Sequence, residues 1–138
     1  MAQTGRSRSR RLLVQALYQY QISDTEERDL REQYANGKEA ARADVPYFEQ
    51  LLSESMAKLD AMDERIAVWA DRPVEQIDPI ERAVLWVAVT EFEQHPEVPA
   101  KVVINEAVEL CKMFGAQDGH RYVNAVLDKA AKDLRSDS

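Results

Sequence analysis

Four arginines, Arg6, Arg8, Arg10 and Arg11, crowd the start of the chain, and no acid precedes Asp24. A guanidinium stays charged at any working pH and presents a planar fork of donors that matches phosphate oxygens. Spacing sharpens the point. Arg8, Arg11 and Gln15 stand three and four apart, and Tyr18 follows three residues later, so a helix would set them on one face. Cations for phosphates beside an aromatic ring for a base are the means by which single strands of RNA are held. Composition alone leaves a second reading open, in which the arginines are a solubilising tail. A further patch falls at Gly115–Tyr122, where a helix start with free N–H groups meets Arg121 and Tyr122.

Catalytic chemistry is thinly represented. Gly5, Gly37, Gly115 and Gly119 never cluster as a phosphate-cradling loop, and His95 and His120 sit in separate turns without metal-ligand spacing. Cys111 lies on an apolar helical stripe, where a lone thiol reads as a small core residue rather than a nucleophile. No cofactor or metal is expected.

The elements that must position these residues read as helices throughout. Leu12, Leu13, Ala16, Leu17 and Tyr20 form one stripe over Ser9–Ile22. A charged second helix over 24–36 stops at Asn36-Gly37, and 38–44 reads as a solvated link. A third helix opens near Pro46 with Asp44 upstream, and the stretch carrying Ile66, Trp69 and Ala70 either continues it with a bend or forms a further helix capped by Asp60 or Asp63. Asp78-Pro79-Ile80-Glu81 is the clearest start: acid at the N-cap, Pro first, Glu third, an aspartate variant of the capping box. The helix it opens is apolar around much of its circumference and should be central. Residues 100–114 form the next, ended by Gly115, and Asp118 caps the last. No stretch alternates with period two. The expected fold is all-α, about seven helices forming a single domain over residues 1–138, with a flexible arm at 1–7 and a frayed tail at 136–138.

At 138 residues the chain can bury a sizeable core without staples, and its one cysteine excludes an internal disulfide. No apolar run spans a membrane, and the arginine-rich start lacks a secretory core, so a cytoplasmic protein is expected. The net charge of −7 argues against polyanion binding until its distribution is seen. Residues 24–100 carry 8 basic and 19 acidic side chains, whereas 101–138 balance at six each. A basic arm therefore leads an acidic body.

Three segments carry a family resemblance: RLLVQALYQYQIS (11–23), DPIERAVLWVAVTEF (78–92) and VPAKVVINEAVELCKMFGAQDGHRYVNAVLDKAAK (98–132). Together, in order and spacing, they resemble the NusB family of bacterial transcription antitermination factors across almost the whole chain. The last is the most specific, with Ile104-Asn105-Glu106-Ala107, Phe114-Gly115-Ala116 and Tyr122-Val123-Asn124.

The resemblance implies an all-helical protein of two small bundles that is not an enzyme. It implies binding to boxA, a single-stranded element of ribosomal RNA leader transcripts, together with NusE, which is also a small-subunit ribosomal protein. The pair joins other Nus factors on RNA polymerase and suppresses premature termination. The family also occurs fused to RNA cytosine methyltransferases, and the length here points to the stand-alone factor. Carried over position by position, the RNA site comprises Arg6, Arg8, Arg10, Arg11, Gln15, Tyr18, Phe114, Asp118 and Tyr122, to which the residue reading adds Arg121. The NusE surface falls on Trp69, Arg72, Glu75 and Glu81. Each has a plainer reading: Glu81 and Asp118 as helix caps, Trp69 as core. A homodimer in the free state stays open. The competing class is a helical scaffold that binds proteins and has no affinity for RNA, and a remoter one is a hydrolase built on Cys111.

Overall fold

The computed structural model describes residues 5–135, which form α1 (Gly5–Ser23), α2 (Glu27–Ala35), α3 (Val45–Met56), α4 (Leu59–Ala70), α5 (Pro79–Gln94), α6 (Ala100–Phe114) and α7 (Gly119–Leu134). Short 3-10 helices fill Lys38–Arg42 and Val74–Gln76, and no strand occurs among the described residues. Helices α1–α3 pack on one another, as do α4–α7, and α5 joins the two groups by lying against α1 and α3 as well as α6 and α7. No helix is long and apolar enough to cross a membrane among these residues.

The central place of α5 follows from its sequence. Every residue from Ala83 to Phe92 is buried, so the helix has no solvent stripe over that stretch. Its start is fixed locally: the Asp78 carboxylate accepts from the N–H groups of Ile80 (2.9 Å) and Glu81 (3.2 Å). Its other end is held from afar. The Arg135 guanidinium donates to the carbonyls of Phe92 (3.0 Å), Val98 (2.9 Å), Glu91 (3.1 Å) and His95 (3.0 Å). Two of these belong to the last turn of α5, where carbonyls lack helical partners and a cation is favoured.

Local expectations fail in instructive places. Residues 5–7 are the first turn of α1 rather than a flexible arm, while residues 1–4 and 136–138 lie outside the described residues. The turn is anchored: Asp44 N–H donates to Gly5 O (3.0 Å), and the Ser9 hydroxyl reaches Asp44 O (2.6 Å). The solvated link at 38–44 is largely the 3-10 helix, seated on α1 by buried Ala40. Helix α4 starts after Lys58, with neither Asp60 nor Asp63 as its cap. Asp63 instead pairs with Arg82 (2.6 Å) and accepts from the Trp86 indole (2.8 Å). Asp118 precedes α7 at φ 73°, a left-handed conformation that carries its carboxylate away from the helix N–H groups it was expected to cap. Gly115 ends α6 as expected, but by close approach rather than left-handed backbone, since a Cβ there would lie 2.8 Å from Cys111 O.

Candidate nucleic-acid interface

Helical arithmetic divides the four arginines. Arg8, Arg11 and Gln15 fall on the stripe of α1 that faces the 3-10 helix and the end of α6, and with Lys38, Arg42, Met113 and Phe114 they line a groove of about 430 Å³. Four cations and one acid, Glu39, border it. Arg6 and Arg10, four apart on another stripe, do not join them. Arg6 lies 4.0 Å over the Tyr47 ring and 3.6 Å from Glu97, turned toward α3 and the turn after α5.

Arg10 corrects the expectation that all four arginines meet RNA. Its side chain is 5 % exposed, and its Nε lies 2.9 Å from both oxygens of Glu91, itself 1 % exposed. A second nitrogen reaches Glu106 at 3.0 Å, and the Tyr47 hydroxyl donates to Glu91. A guanidinium whose three nitrogens all face carboxylates inside the fold is not presented to a phosphate at the surface. Arg10 is the charged pin between α1, α3, α5 and α6.

A second concavity, about 400 Å³, adjoins the groove through shared walls at Gln15 and Phe114. Tyr18, Ile22, Tyr34 and Ile80 complete it, and Tyr18 and Ile22 are exposed there. Cationic groove and aromatic shelf thus form one track along α1. The far wall of the groove was missed by sequence reasoning. Lys38 and Arg42 follow a helix-ending Asn-Gly pair, and nothing local says that this segment packs on α1.

The 115–122 patch divides as well. Asp118 and Arg121 are exposed on the turn before and the first turn of α7, 3.9 Å apart, an ion pair too solvated to order either group. Tyr122 is half-buried, with the Arg72 guanidinium 4.6 Å over its ring. Glu81 lies under the same helix start, close enough to Gly119 that a Cβ there would overlap its carboxylate. Burial, then Asp78, raises the Glu81 carboxyl above the usual carboxylate range, with Arg72 opposing. The capping box is half-formed: Asp78 caps α5, but among the described residues the Glu81 side chain makes no hydrogen bond in return. Tyr122 and Arg72, assigned by sequence to different ligands, are in contact.

The Tyr122 hydroxyl is buried without a hydrogen-bond partner among the described residues. An unmet buried donor costs about 1–3 kcal/mol. Tyr122→Phe should therefore raise the melting temperature by a few degrees and leave RNA affinity unchanged if the ring stacks on a base. A melting temperature below wild type would show that the hydroxyl is satisfied in solution.

Of the expected partner residues, Glu75 and Arg72 are exposed, and Val68, 77 % exposed, stands four residues before Arg72. Trp69 does not join them. It is 5 % exposed, and its indole N–H donates to Asp133 at 2.6 Å, so it ties α4 to α7 as core.

Cys111 is fully buried, and burial, aided by Glu81 and Asp78, pushes its thiol up to about 12. A protonated, inaccessible sulfur is not a nucleophile. Among the described residues no His, Cys, Asp and Glu group is arranged to hold a metal ion.

Fold and track together define an all-helical protein with a cation-lined groove along its first helix. The NusB family model matches residues 7–132. The transcription antitermination protein NusB of Shewanella amazonensis is 43% identical over 129 residues, covering 94% of this chain and 96% of the relative. Among solved structures, T. maritima NusB has a TM-score of 0.81 at 25% identity, covering 96% of this chain and 94% of that one. A structure of antitermination factors NusB and NusE in complex with dsRNA has a TM-score of 0.76 at 18% identity, over 92% of this chain and 96% of that one, a likeness of fold. The chain belongs to the NusB family.

Proposed function

We propose that this chain is a transcription antitermination factor of the cytoplasm that acts by assembly rather than catalysis. It binds single-stranded boxA RNA of ribosomal RNA leaders along α1, and NusE at the Arg72–Glu75–Glu81 end. The bound pair joins the other Nus factors on RNA polymerase. The observation that carries the reading is the continuous track of Arg8, Arg11, Gln15, Phe114 and Tyr18, in which cations precede an exposed aromatic shelf. Arginines hold phosphates there, and Tyr18 and Phe114 offer faces to bases. Asp118, Arg121 and Tyr122 border the RNA at the start of α7. Residues 5–135 work as one unit, because a single apolar cluster runs from Leu12 to Ala130. Support for the partners comes from the relatives named for antitermination and from the solved complex of a structurally similar NusB with NusE and dsRNA. An acidic middle suits a basic ribosomal protein.

The test is a salt titration of RNA binding, by anisotropy of a labelled boxA strand, with and without NusE. Arg8→Ala with Arg11→Ala should flatten the slope of log K against log salt by about 1.4, at about 0.7 per phosphate contact on a single strand. NusE binding by the isolated protein should not change. A flat wild-type response would leave the scaffold reading standing, in which the chain binds proteins and has no RNA affinity of its own.

A further inference from the structure

Lys38 and Arg42 form the wall of the groove opposite Arg8 and Arg11, and we propose that this 3-10 turn is a second phosphate-binding element, closing on the RNA backbone from the far side. The inference rests on the RNA reading above and extends it to a segment that the family motifs leave unassigned. Three observations carry it. First, both side chains are exposed and line the groove, and neither makes an ion pair with a described residue, so their charge is available. Second, the turn is held in place: Ala40 is buried beneath it, Ala43 N–H closes it onto Ala40 O (3.0 Å), and Asp44 ties its end to Gly5 and Ser9. A fixed wall spends little ordering entropy when a ligand arrives. Third, the groove has low-dielectric walls and four cations against one acid, an arrangement that focuses positive potential where a backbone would run.

The occupant is a nucleic-acid strand rather than an acidic peptide because the groove opens, past Gln15 and Phe114, onto the shelf of Tyr18, Ile22 and Tyr34. Phosphates between the two basic walls would leave the following bases over the exposed Tyr18 ring and the half-buried Phe114 and Tyr34, which accept any base by stacking. Glu39 sets the affinity from within, as the one negative charge in the lining.

The test uses the full chain and the same labelled RNA. Lys38→Ala with Arg42→Ala should flatten the salt slope by about 1.4, which at about 0.1 M salt is a loss of roughly twentyfold in affinity. The melting temperature should not move, since neither side chain supports the fold. Glu39→Gln should tighten binding severalfold. The control is Lys58→Ala with Lys101→Ala, which removes two cations outside the groove and should leave the slope alone. An unchanged slope in Lys38→Ala with Arg42→Ala, beside a flattened one in Arg8→Ala with Arg11→Ala, overturns the second wall and leaves the RNA reading intact. Equal flattening by the control pair overturns it also, because the effect is then diffuse charge. Wild-type protein that does not bind RNA overturns both readings. Polyglutamate displacing the RNA at equal charge concentration overturns the choice of a nucleic-acid strand.

Discussion

Arg10→Ala should destabilise the protein by about 3–5 kcal/mol, the usual consequence of removing one partner from a buried ion pair. The loss is not that of one contact. Glu91, 1 % exposed, would lose its contacts from Arg10 Nε and Nη2, and among the described residues only the Tyr47 hydroxyl would be left to meet its charge. On a domain of this size the melting temperature should fall by roughly 10–20 °C. Replacing both charges by apolar residues of similar volume, Arg10→Met with Glu91→Leu, should recover most of that, since no orphaned carboxylate remains. Thermal melts of the three proteins check this, and anisotropy below the melting range supplies the second readout. If Arg10→Ala melts like wild type and its salt slope flattens, Arg10 is a phosphate contact and the buried pin is wrong.

Trp69→Ala should cost about 3–5 kcal/mol, as large aromatic truncations in cores do. The indole seals α4 against α7, and Asp133 loses its donor with it. Trp69→Phe keeps most of the volume and should lose only the bond to Asp133, a smaller drop. NusE titrations at a temperature where each variant is folded should match wild type. If Trp69→Ala melts normally and fails to bind NusE, Trp69 is a partner contact after all.

These two residues also mark where the sequence stopped being legible. Chemistry that closes within four residues could be read directly: Asp78 capping α5, Asp44 accepting from Tyr47 N–H at 3.1 Å, Asn36 ending α2. The shared face of Arg8, Arg11 and Gln15 was legible because helical period alone determines it. Arg10 was not, because its partners lie 81 and 96 positions away, and a guanidinium looks the same whether it meets a phosphate or a buried glutamate. Trp69 stayed divided between core and partner contact for a related reason. An amphipathic stripe says which side of a helix is apolar, not whether its own chain or another covers it, and Asp133 is 64 positions distant. The 38–42 turn lacked helical or strand periodicity, and its place on α1 is decided by Ala40 and by Ser9 bonding across to Asp44. Asp118 misled in the opposite sense: the residue type suits a cap, but its positive φ turns the carboxylate away.

The contact between Arg72 and Tyr122 has a consequence for genetics. The charge map, with a basic start and an acidic middle, suggests two surfaces that mutate independently. A guanidinium 4.6 Å over the Tyr122 ring, with Glu81 beneath the start of the same helix, makes them neighbours at their boundary. On the proposed assignment of the two surfaces, loss-of-function alleles at positions 72, 81, 119 and 122 should therefore be pleiotropic, since each disturbs side chains of both. Selections for defects in one partner and for defects in the other should converge on this handful of codons. Clean separation of the two phenotypes should come only from the far ends, from Arg8 and Arg11 on one side and Glu75 on the other.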